Sequence, residues 1–542
     1  MPTRIEVKFK PEIIDSLGLS TKKRIKEELG IELEEVKTVE VYTIDKNLGK
    51  DQLAQIAREI FTDPLTQEYA IARPVVEPRK EPFDWAIEVG FLPGVTDNVG
   101  KTAKEAIEEL VKIKFTEEQA VYTSRQYLLK GKLTKAQVER VAHRLYNPVI
   151  QRVQIKSFQE FLDSDGMELI VPKVKLPPTD RVKEVDLDLP DSELEKLGRE
   201  GILEQSFEDG REIRRGPLAL SIEELKIIRD YFKREGRKPS DVELESIGQT
   251  WSEHCKHKIF ASNLDGIDSL YKSFIKKATE EIRAELGEKD FCVSVFTDNS
   301  GVIKFDEEHY ICYKVETHNS PSALDPYGGA ITGIVGVNRD PMGTGQGAKL
   351  VINIYGFCFG NPYYQDELPY RDREKQNPIL HPRVIFEGVR LGVEHGGNKS
   401  GIPTPWGFVI FDERYMGKPL VYVGTLGLIP KDINGIKGEF KKARVGDLIV
   451  MAGGRVGKDG IHGATFSSES LHEGSPAGAV QIGDPITQKK LHDAQLELRD
   501  KRLYNSVTDN GAGGLSCSVG EMAKESGGCE VELEKVPTKY SG

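Results

Sequence analysis

The chain contains 542 residues, of which 38% are hydrophobic and 30% charged, so it is long enough for several domains and has an ordinary soluble composition. Its 75 basic and 87 acidic residues give a net charge of −12, and the absence of a long basic run argues against nucleic-acid binding. No apolar stretch approaches the length of a membrane span, the N-terminus lacks a signal-peptide core, and the six cysteines form no Cys-x-x-Cys pair. These features predict a cytoplasmic protein with reduced thiols.

The N-terminal region contains an internal repeat. The segment IEVKFKPEIIDSLGLSTKKRIKEELG from Ile5 aligns without a gap with IEVGFLPGVTDNVGKTAKEAIEELVK from Ile87. The aligned identities include Asp15 with Asp97 and Gly18 with Gly100. Each copy is predicted to form an αβ unit with one apolar sheet face, and the two copies are expected to bury those faces against each other. We predict a pseudo-dimeric assembly module.

A proline-rich, charged segment follows the repeat. KVKLPPTDRVKEVDLDLPDSELEKLGREG is typical of a linker, and LSIEELKIIRDYFKREG predicts one helix after it. We expect residues 173–235 to be a linker with little core of its own.

The next predicted helix carries two histidines three residues apart. In KPSDVELESIGQTWSEHCKHKIF, Ser240 and Glu243 form a capping box, and apolar residues then recur at helical spacing up to Trp251. His254 continues that stripe, and His257 is expected beside it on the same helix face. Both a hydrogen-bonded core histidine and a functional histidine fit this pattern. Zinc is not indicated, because no cysteine or histidine cluster completes a site.

The segment CYKVETHNSPSA predicts a strand with two chemically different sides. Side chains alternate along a strand, so Lys314, Glu316 and His318 project to one side and the apolar residues between them to the other. The apolar side suits burial in a core, while the other side presents an ammonium, a carboxylate and an imidazole. Taken alone, the pattern is more typical of a strand with a solvated polar face.

A glycine-rich helix is predicted after this strand. In SALDPYGGAITGIVGVNRDPMG, Pro326 suits the first turn of a helix, and the glycines allow close approach by a ligand or by a packed sheet. The pattern is neither a Walker loop nor a Rossmann fingerprint, so phosphate binding and tight packing both remain open. Arg339 and Asp340 suit a phosphate and Mg²⁺, respectively, or a mutual surface ion pair.

The segment GFCFG is similar to the turn that presents a catalytic cysteine. Such a turn leads directly into a helix, whereas Cys358 is followed by the proline- and tyrosine-rich NPYYQDELPY. We predict a buried strand cysteine and no glutaminase activity in this chain.

Two further polar positions precede helices near the C-terminal end. VQIGDP places Gln481 before an amphipathic helix, and VTDNGAGGLSCSVGEMA places Asp509 after an apolar strand and before a glycine-rich turn. The aspartate suits either a metal–phosphate site or a helix cap.

Five segments, in this order, resemble phosphoribosylformylglycinamidine synthase, the amidine-forming ligase of purine biosynthesis. They are TWSEHCKHKIF, KVETHNSPSALDPYGGAITGIVGVNRD, GKDGIHGATFSS, VQIGDP and TDNGAGGLSCSVGEMA. The resemblance covers roughly 215–542, and the N-terminal repeat resembles a duplicated, fused form of that enzyme's small accessory subunit. It implies a multidomain α+β and α/β fold with aminoimidazole ribonucleotide synthetase-like A-type and B-type domains. The implied domains are repeats at 1–80 and 81–172, the linker at 173–235, the A-type domain with the ATP and substrate site at 236–430, and a truncated B-type domain at 431–542.

The resemblance also implies a reaction and a set of site residues. The family converts formylglycinamide ribonucleotide, ATP and ammonia to the amidine, ADP and phosphate. Phosphoryl transfer from ATP needs Mg²⁺ and a nearby cation, and an imidazole can accept a proton as ammonia adds. The implied catalytic residues are His254 and His318, and the implied ATP contacts are His257 and Lys314. The implied substrate contacts are Thr317, His318, Asn319, Ser320, Arg339 and Gln481, and the implied Mg²⁺ ligands are Glu316, Asp340 and Asp509.

The chain departs from the family pattern in three ways. Many relatives have a histidine in place of Ser320 and a tyrosine in place of His257, and the family catalytic unit has two similar halves, of which one is recognised here. The implied partners are therefore formylglycinamide ribonucleotide, a glutaminase subunit that supplies ammonia, and a second synthetase half in the same or a separate chain. The alternative is a non-catalytic subunit that binds substrate or nucleotide and assembles the complex. Aminoimidazole ribonucleotide synthetase and selenophosphate synthetase fit less well, because of the fused repeat and the SEHC helix.

Overall fold

The structure is a computed structural model. It describes residues 2–116, 118–148, 150–174, 182–205, 211–370, 379–457, 460–463 and 482–539. The chain divides into two compact units, one of residues 1–176 with 538–541 and one of residues 177–537 with 542. Among the described helices, none combines the length and the apolar composition needed to cross a bilayer.

The first unit is built on one six-stranded antiparallel sheet in the order β3-β1-β2-β5-β4-β6. Its strands are β1 (Thr3–Phe9), β2 (Glu35–Ile44), β3 (Gln67–Ile71), β4 (Trp85–Phe91), β5 (Val121–Lys130) and β6 (Gln151–Ser157). Its helices are α1 (Ser16–Leu29), α2 (Lys50–Ile56, extended by a π turn), α3 (Asn98–Leu110), α4 (Lys135–Leu145) and α5 (Phe158–Asp163).

The two sequence repeats join edge to edge through β2 and β5, with Val39 opposite Gln126. The expectation that they bury two sheet faces against each other is wrong. The helices already cover the apolar face, where Ile5 of the first copy shares a core with Ile107 of the second. The described residues of this unit therefore leave no uncovered apolar sheet face that could pack against a second sheet.

A buried polar network links the copies on the other face of this sheet. The Arg4 guanidinium donates to Glu6 Oε1 at 2.7 Å in its own copy and to Glu88 Oε1 at 3.3 Å in the second copy. Gln126 Nε2 donates to Glu6 Oε1 at 2.9 Å, and Ser124 Oγ donates to Glu88 Oε1 at 2.7 Å. Every member is less than one-tenth exposed, so these side chains bond one another rather than water, and Gln126 Oε1 is left without a hydrogen-bond partner.

The aligned aspartates make the same contacts in both copies. Asp15 accepts from Gly18 N at 2.7 Å and from Thr38 N at 2.6 Å. Asp97 accepts from Gly100 N and Thr123 N at the same two distances. Each carboxylate therefore caps a helix and ties it to the neighbouring strand.

Replacing either aspartate by alanine removes the cap and the helix-to-strand bonds together. Asp15→Ala and Asp97→Ala should each lower the local free energy of unfolding by about 2–3 kcal/mol. Hydrogen–deuterium exchange of the peptides covering β2 and β5 measures this, with the exposed Asp51 in the first turn of α2, replaced by alanine, as control. Unchanged exchange in both variants would contradict the role of Asp15 and Asp97 in capping a helix and bonding it to the neighbouring strand.

The second unit begins with a small helical layer. It contains α6 (Asp191–Glu200), β7 (Leu203–Gln205), β8 (Glu212–Arg214), α7 (Ile222–Arg234) and α8 (Asp241–Thr250). The predicted helix after the proline-rich segment is present as α7, capped by Ser221. The expectation of little core is wrong, because Leu194, Leu218 and Leu225 are fully buried within a shared apolar cluster. The apolar residues among the charges are sufficient to form this core.

The main sheet of the second unit has six strands in the order β11-β12-β13-β16-β14-β15. They are β11 (Cys292–Ser294), β12 (Gly301–Lys304), β13 (His309–Thr317), β14 (Lys349–Phe359), β15 (Trp406–Phe411) and β16 (Leu420–Pro430). The remaining strands form two short hairpins, β9 (Asn263–Leu264) with β10 (Ile267–Asp268) and β17 (Asp432–Ile433) with β18 (Ile436–Lys437). The remaining helices are α9 (Glu253–Lys256), α10 (Lys258–Ala261), α11 (Lys277–Leu286), α12 (Asn319–Leu324), α13 (Pro326–Met342), α14 (Pro382–Ser400), α15 (Pro485–Asp500) and α16 (Gly514–Ser526).

One face of this sheet is covered by α13 and α14, which share an apolar core with β14 and β16. Cys358 lies in β14 and is 6% exposed, which confirms the prediction of a buried strand cysteine. The glycine-rich helix is also confirmed as α13, which begins at Pro326 with Asp325 as its cap.

The opposite face of the sheet carries exposed apolar side chains. Val315, Gly424, Ile354 and Trp406 lie in register across four strands, so the side chains of Val315, Ile354 and Trp406 share this face. Val315 is 37% exposed and Trp406 is 57% exposed. We call this surface, with Tyr313, Phe408 and Ile410, the open sheet face.

Candidate functional site

Lys314, Glu316 and His318 form one cluster at the end of β13. Lys314 Nζ lies 3.6 Å from Glu316 Oε1, and Glu316 Oε2 lies 3.1 Å from His318 Nε2. The expected alternation along the strand thus brings the ammonium, the carboxylate and the imidazole together. The cluster is half-buried rather than solvated.

This cluster lies on the helix-covered side of the sheet, and the expectation that the apolar side of the strand is the buried one is wrong. Glu316 is opposite Val423, which belongs to the core under α13, whereas Tyr313 and Val315 lie on the open sheet face. The helix leaves room for the charged groups because it carries glycines at the contact. A Cβ on Gly333 would lie 2.9 Å from His318 Cγ, closer than real contacts allow.

Asp340 at the end of α13 completes the cluster. Its Oδ2 lies 3.2 Å from Lys314 Nζ, is buried, and accepts no hydrogen bond of good geometry. Lys314 Nζ instead donates to the Asn299 carbonyl at 3.1 Å. The carboxylate oxygen of Asp340 therefore has spare capacity for a cation.

The charges in the cluster perturb one another. Burial would raise the pKa of Glu316, but its contact with His318, followed by those with Asp340 and Lys314, holds it below its usual range. Burial, followed by the negative charges of Glu316 and Asp509, raises the pKa of Asp340. Burial would lower the pKa of Lys314, but Asp340 and Glu316 raise it. These shifts favour the charged forms of Glu316 and Lys314.

Asp509 lies beside this group and has partners of its own. Its Oδ1 accepts from Asn299 Nδ2 at 3.1 Å, and its Oδ2 lies 3.6 Å from Arg339 Nε. Asp509 follows a loop, because the described residues 501–513 contain no strand, contrary to expectation. Among the residues the structure describes, no three acidic, histidine or cysteine side chains are already arranged to hold a metal ion.

The helix with the two histidines is broken, so the predicted single helix is wrong. Helix α8 ends at Thr250, and Ser252 caps the short helix α9 by accepting from Cys255 N at 3.3 Å. His257 has φ of +53° and is exposed, so it does not lie beside His254 on a helix face. The serine explains the break, because its side chain competes with the helical hydrogen bond.

His254 nevertheless lies within electrostatic range of the strand cluster. The Cys255 thiol raises the pKa of His254, which burial would lower. Glu316 also raises that pKa and Lys314 lowers it. His254 is solvent-exposed, and the short helix α9 brings its imidazole within electrostatic range of Lys314 and Glu316.

The other predicted contacts surround this cluster. Thr317 ends β13, the Asn319 side chain accepts from Val421 N at 2.8 Å, and Ser320 is 2% exposed with no hydrogen-bond partner for its hydroxyl. Gln481 and most of GKDGIHGATFSS lie outside the described residues. Sequence reasoning missed Asn299, because it orients Lys314 through its main-chain carbonyl, which any residue provides.

Three family models match the second unit in chain order. The formylglycinamide ribonucleotide amidotransferase linker domain matches residues 211–258. The N-terminal domain of AIR synthase related proteins matches 297–429, and the C-terminal domain matches 444–541. The predicted relationship to phosphoribosylformylglycinamidine synthase is confirmed. The AIR synthase-like fold predicted for this region is also confirmed.

Curated relatives agree with the family models. The phosphoribosylformylglycinamidine synthase subunit PurL of Thermoplasma volcanium is 36% identical over 329 residues, which are 60% of this chain and 39% of that subunit. The subunit of Methanothermobacter thermautotrophicus is 35% identical over 329 residues, 60% of this chain and 40% of that subunit. The chain thus spans about two fifths of the length of these relatives.

A solved structure of Thermotoga maritima PurL complexed with FGAR is 27% identical, covering 58% of this chain and 44% of that chain with a TM-score of 0.43. The structure of PurLQS from the same organism is 25% identical, covering 58% of this chain and 42% of that chain with a TM-score of 0.40.

The tight contact at Gly333 can be tested with a neighbouring glycine as control. Gly333→Ala should push the His318 imidazole away from Glu316, beyond 4 Å in a crystal structure, because the added Cβ overlaps the ring. Gly336→Ala should leave the pair in place, since its Cβ would meet only Arg339 Nη2 at 3.7 Å and Glu316 Oε2 at 3.8 Å. An unmoved His318 in Gly333→Ala would contradict the packing described here.

Proposed function

We propose that this chain forms the ATP- and formylglycinamide ribonucleotide-binding part of an ATP-dependent carbon–nitrogen ligase of cytoplasmic purine biosynthesis. The reaction converts formylglycinamide ribonucleotide, ATP and ammonia to the amidine, ADP and phosphate. The observation that carries the proposal is the cluster of Lys314, Glu316 and His318, with His254 within electrostatic range, inside the region related to this family.

The cluster supplies the charges that such a reaction needs. ATP phosphorylates the amide oxygen of the substrate, and ammonia then displaces the phosphate at the same carbon. Lys314 remains cationic and suits a terminal phosphate of ATP, where it would stabilise the charge that develops during transfer. His318 accepts the proton that ammonia loses, and Glu316 orients the imidazole through its 3.1 Å contact.

The remaining predicted residues fit around this pair. His254 is proposed as the second catalytic histidine, because its imidazole is within electrostatic range of Glu316 and Lys314. The exposed His257 is proposed to contact the nucleotide. Substrate contacts are proposed for Thr317, His318, Asn319, Ser320, Arg339 and Gln481.

Mg²⁺ is proposed at Glu316, Asp340 and Asp509. Oxygen ligands suit this ion, and the buried Asp340 Oδ2 without a hydrogen bond is the atom that a cation would satisfy. When bound, the ion would neutralise phosphate charge. Lys314 and Arg339 presently lie beside two of these carboxylates, so they would turn toward phosphate oxygens.

A second synthetase half is proposed to cover the open sheet face. The chain spans about two fifths of its curated relatives, and its main sheet exposes a row of apolar side chains of the kind that a partner buries. A separate glutaminase subunit is proposed as the source of ammonia.

Replacing the proposed base tests the catalytic role. His318→Ala should lower amidine formation at least about 100-fold while the fold is retained, because proton transfer loses its acceptor. The assay contains ATP, Mg²⁺, substrate and ammonium salt, with the chain alone and with the part of the Thermoplasma volcanium subunit that this chain does not match. The control is His309→Ala on the same strand, whose imidazole bonds Asp306 away from the cluster.

Normal turnover in His318→Ala would refute the role of that residue. Substrate and nucleotide binding without turnover in the completed wild-type assembly would instead support a non-catalytic assembly subunit.

Charging the open sheet face tests the proposed partner surface. Ile410→Asp should weaken binding of the added Thermoplasma half at least about tenfold, since a carboxylate would be buried in an apolar interface. Ile227→Asp on α7 is the control and should bind like wild type; Ile227 is 60% exposed, compared with 51% for Ile410. Equal binding by both variants, measured by titration calorimetry, would contradict this surface.

A further inference from the structure

Two cysteines far apart in sequence meet beside the candidate site. Cys255 Sγ in α9 lies 3.9 Å from Cys517 Sγ in α16, 262 residues away. Both side chains are partly exposed, and both thiols are free. A disulfide has an S–S distance of about 2.05 Å, so a shift of about 2 Å separates the two sulfurs from a bond.

The segments around this pair can accommodate such a shift. Helix α9 has only four residues and is bounded by Ser252 and by the left-handed His257. Gly513 lies next to both sulfurs and has no side chain to occupy the space beside them. A Cβ at this position would lie 2.0 Å from Cys517 Sγ and 3.5 Å from Cys255 Sγ. No side chain at residue 513 therefore separates the thiols.

We propose that Cys255 and Cys517 form a reversible disulfide that inactivates the site under peroxide stress. The bond would link the helix carrying His254 to the helix that follows Asp509. The oxidant is hydrogen peroxide, and reduction by a dithiol reverses the bond. The loss of activity rests on the proposed function, whereas formation of the bond does not.

The two thiols are suited to different roles in this reaction. The hydrogen bond from Cys517 lowers the pKa of Cys255, burial opposes it, and His254 and Ser252 lower it further. The same bond, with burial, raises the pKa of Cys517. Cys255 also has the His254 Nδ1 atom 3.9 Å from its sulfur, so the proposal takes Cys255 as the attacking thiolate and Cys517 as the resolving thiol.

The chemistry balances with one peroxide. The Cys255 thiolate attacks one peroxide oxygen, the O–O bond breaks, and hydroxide leaves and takes up the proton that the thiol had released, giving a sulfenic acid and water. The Cys517 sulfur then attacks the Cys255 sulfur, the S–O bond breaks, and water leaves with the Cys517 proton. Two thiols and hydrogen peroxide thus give a disulfide and two waters, with two electrons passing from sulfur to peroxide.

The disulfide would disturb His254. The Cys255 sulfur lies 3.9 Å from His254 Nδ1 and is the largest influence on the pKa of that imidazole. Moving the sulfur toward Cys517 would remove this partner and rotate α9. The distance of the His254 imidazole from Lys314 and Glu316 would then change.

The test is to map thiols in the full chain after peroxide treatment. The reduced protein is exposed to hydrogen peroxide, alkylated, digested and analysed by mass spectrometry. We expect a Cys255–Cys517 cross-linked peptide that disappears after dithiothreitol, while the exposed Cys529 is alkylated. In Cys517→Ser, we expect a sulfenic acid at Cys255 that dimedone traps. Cys529→Ser should behave like wild type.

Alkylation of Cys255 and Cys517 at the rate of Cys529, with no cross-linked peptide, would overturn the proposal. A separate measurement of amidine formation in the completed assembly should show at least tenfold lower turnover after oxidation and recovery after dithiothreitol. Full turnover with the disulfide formed would overturn the inactivating role. A cross-link in a protein that is inactive even when reduced would confirm the bond and count against the proposed function alone.

Discussion

The site depends on charged groups packed between a strand and a glycine-rich helix. Lys314, Glu316 and His318 lie on the covered side of the sheet, where an unpaired charge would be costly. They are tolerated because Lys314 and Glu316 are paired, because His318 Nε2 lies 3.1 Å from Glu316 Oε2, and because Gly333 leaves space for the imidazole. Burial in the same place raises the pKa of Asp340 at the end of α13. The Oδ2 atom of this carboxylate accepts no hydrogen bond of good geometry.

The two faces of the main sheet carry different kinds of side chain. The helix-covered face holds both the apolar core and, at the end of β13, the charged cluster. The open sheet face carries large apolar side chains in register across the strands, which is how an interface differs from an ordinary solvated surface. The charged cluster and the open sheet face thus lie on opposite sides of the same strand.

Much of this site could be predicted from sequence because its signals are local. The alternation of Lys314, Glu316 and His318, the capped start of α13, and the buried Cys358 follow from strand and helix periodicity. Local rules could not tell which strand side is covered, because Tyr313 and Val315 are apolar in either case. They also missed the helix break at Ser252, where a side-chain cap competes with apolar periodicity. The Asn299 carbonyl and the Cys255–Cys517 approach depend on tertiary contacts that leave no pattern in the sequence.

The polar network of the N-terminal unit has an evolutionary consequence. Arg4 comes from one copy and Glu88 from the other, and both are almost fully enclosed. Fusion of two identical subunits would allow each copy to change independently. The shared network limits that independence, because each copy contributes a side chain to it. A substitution at Arg4 would alter the selection on Glu88, so these positions should drift in concert rather than as independent halves.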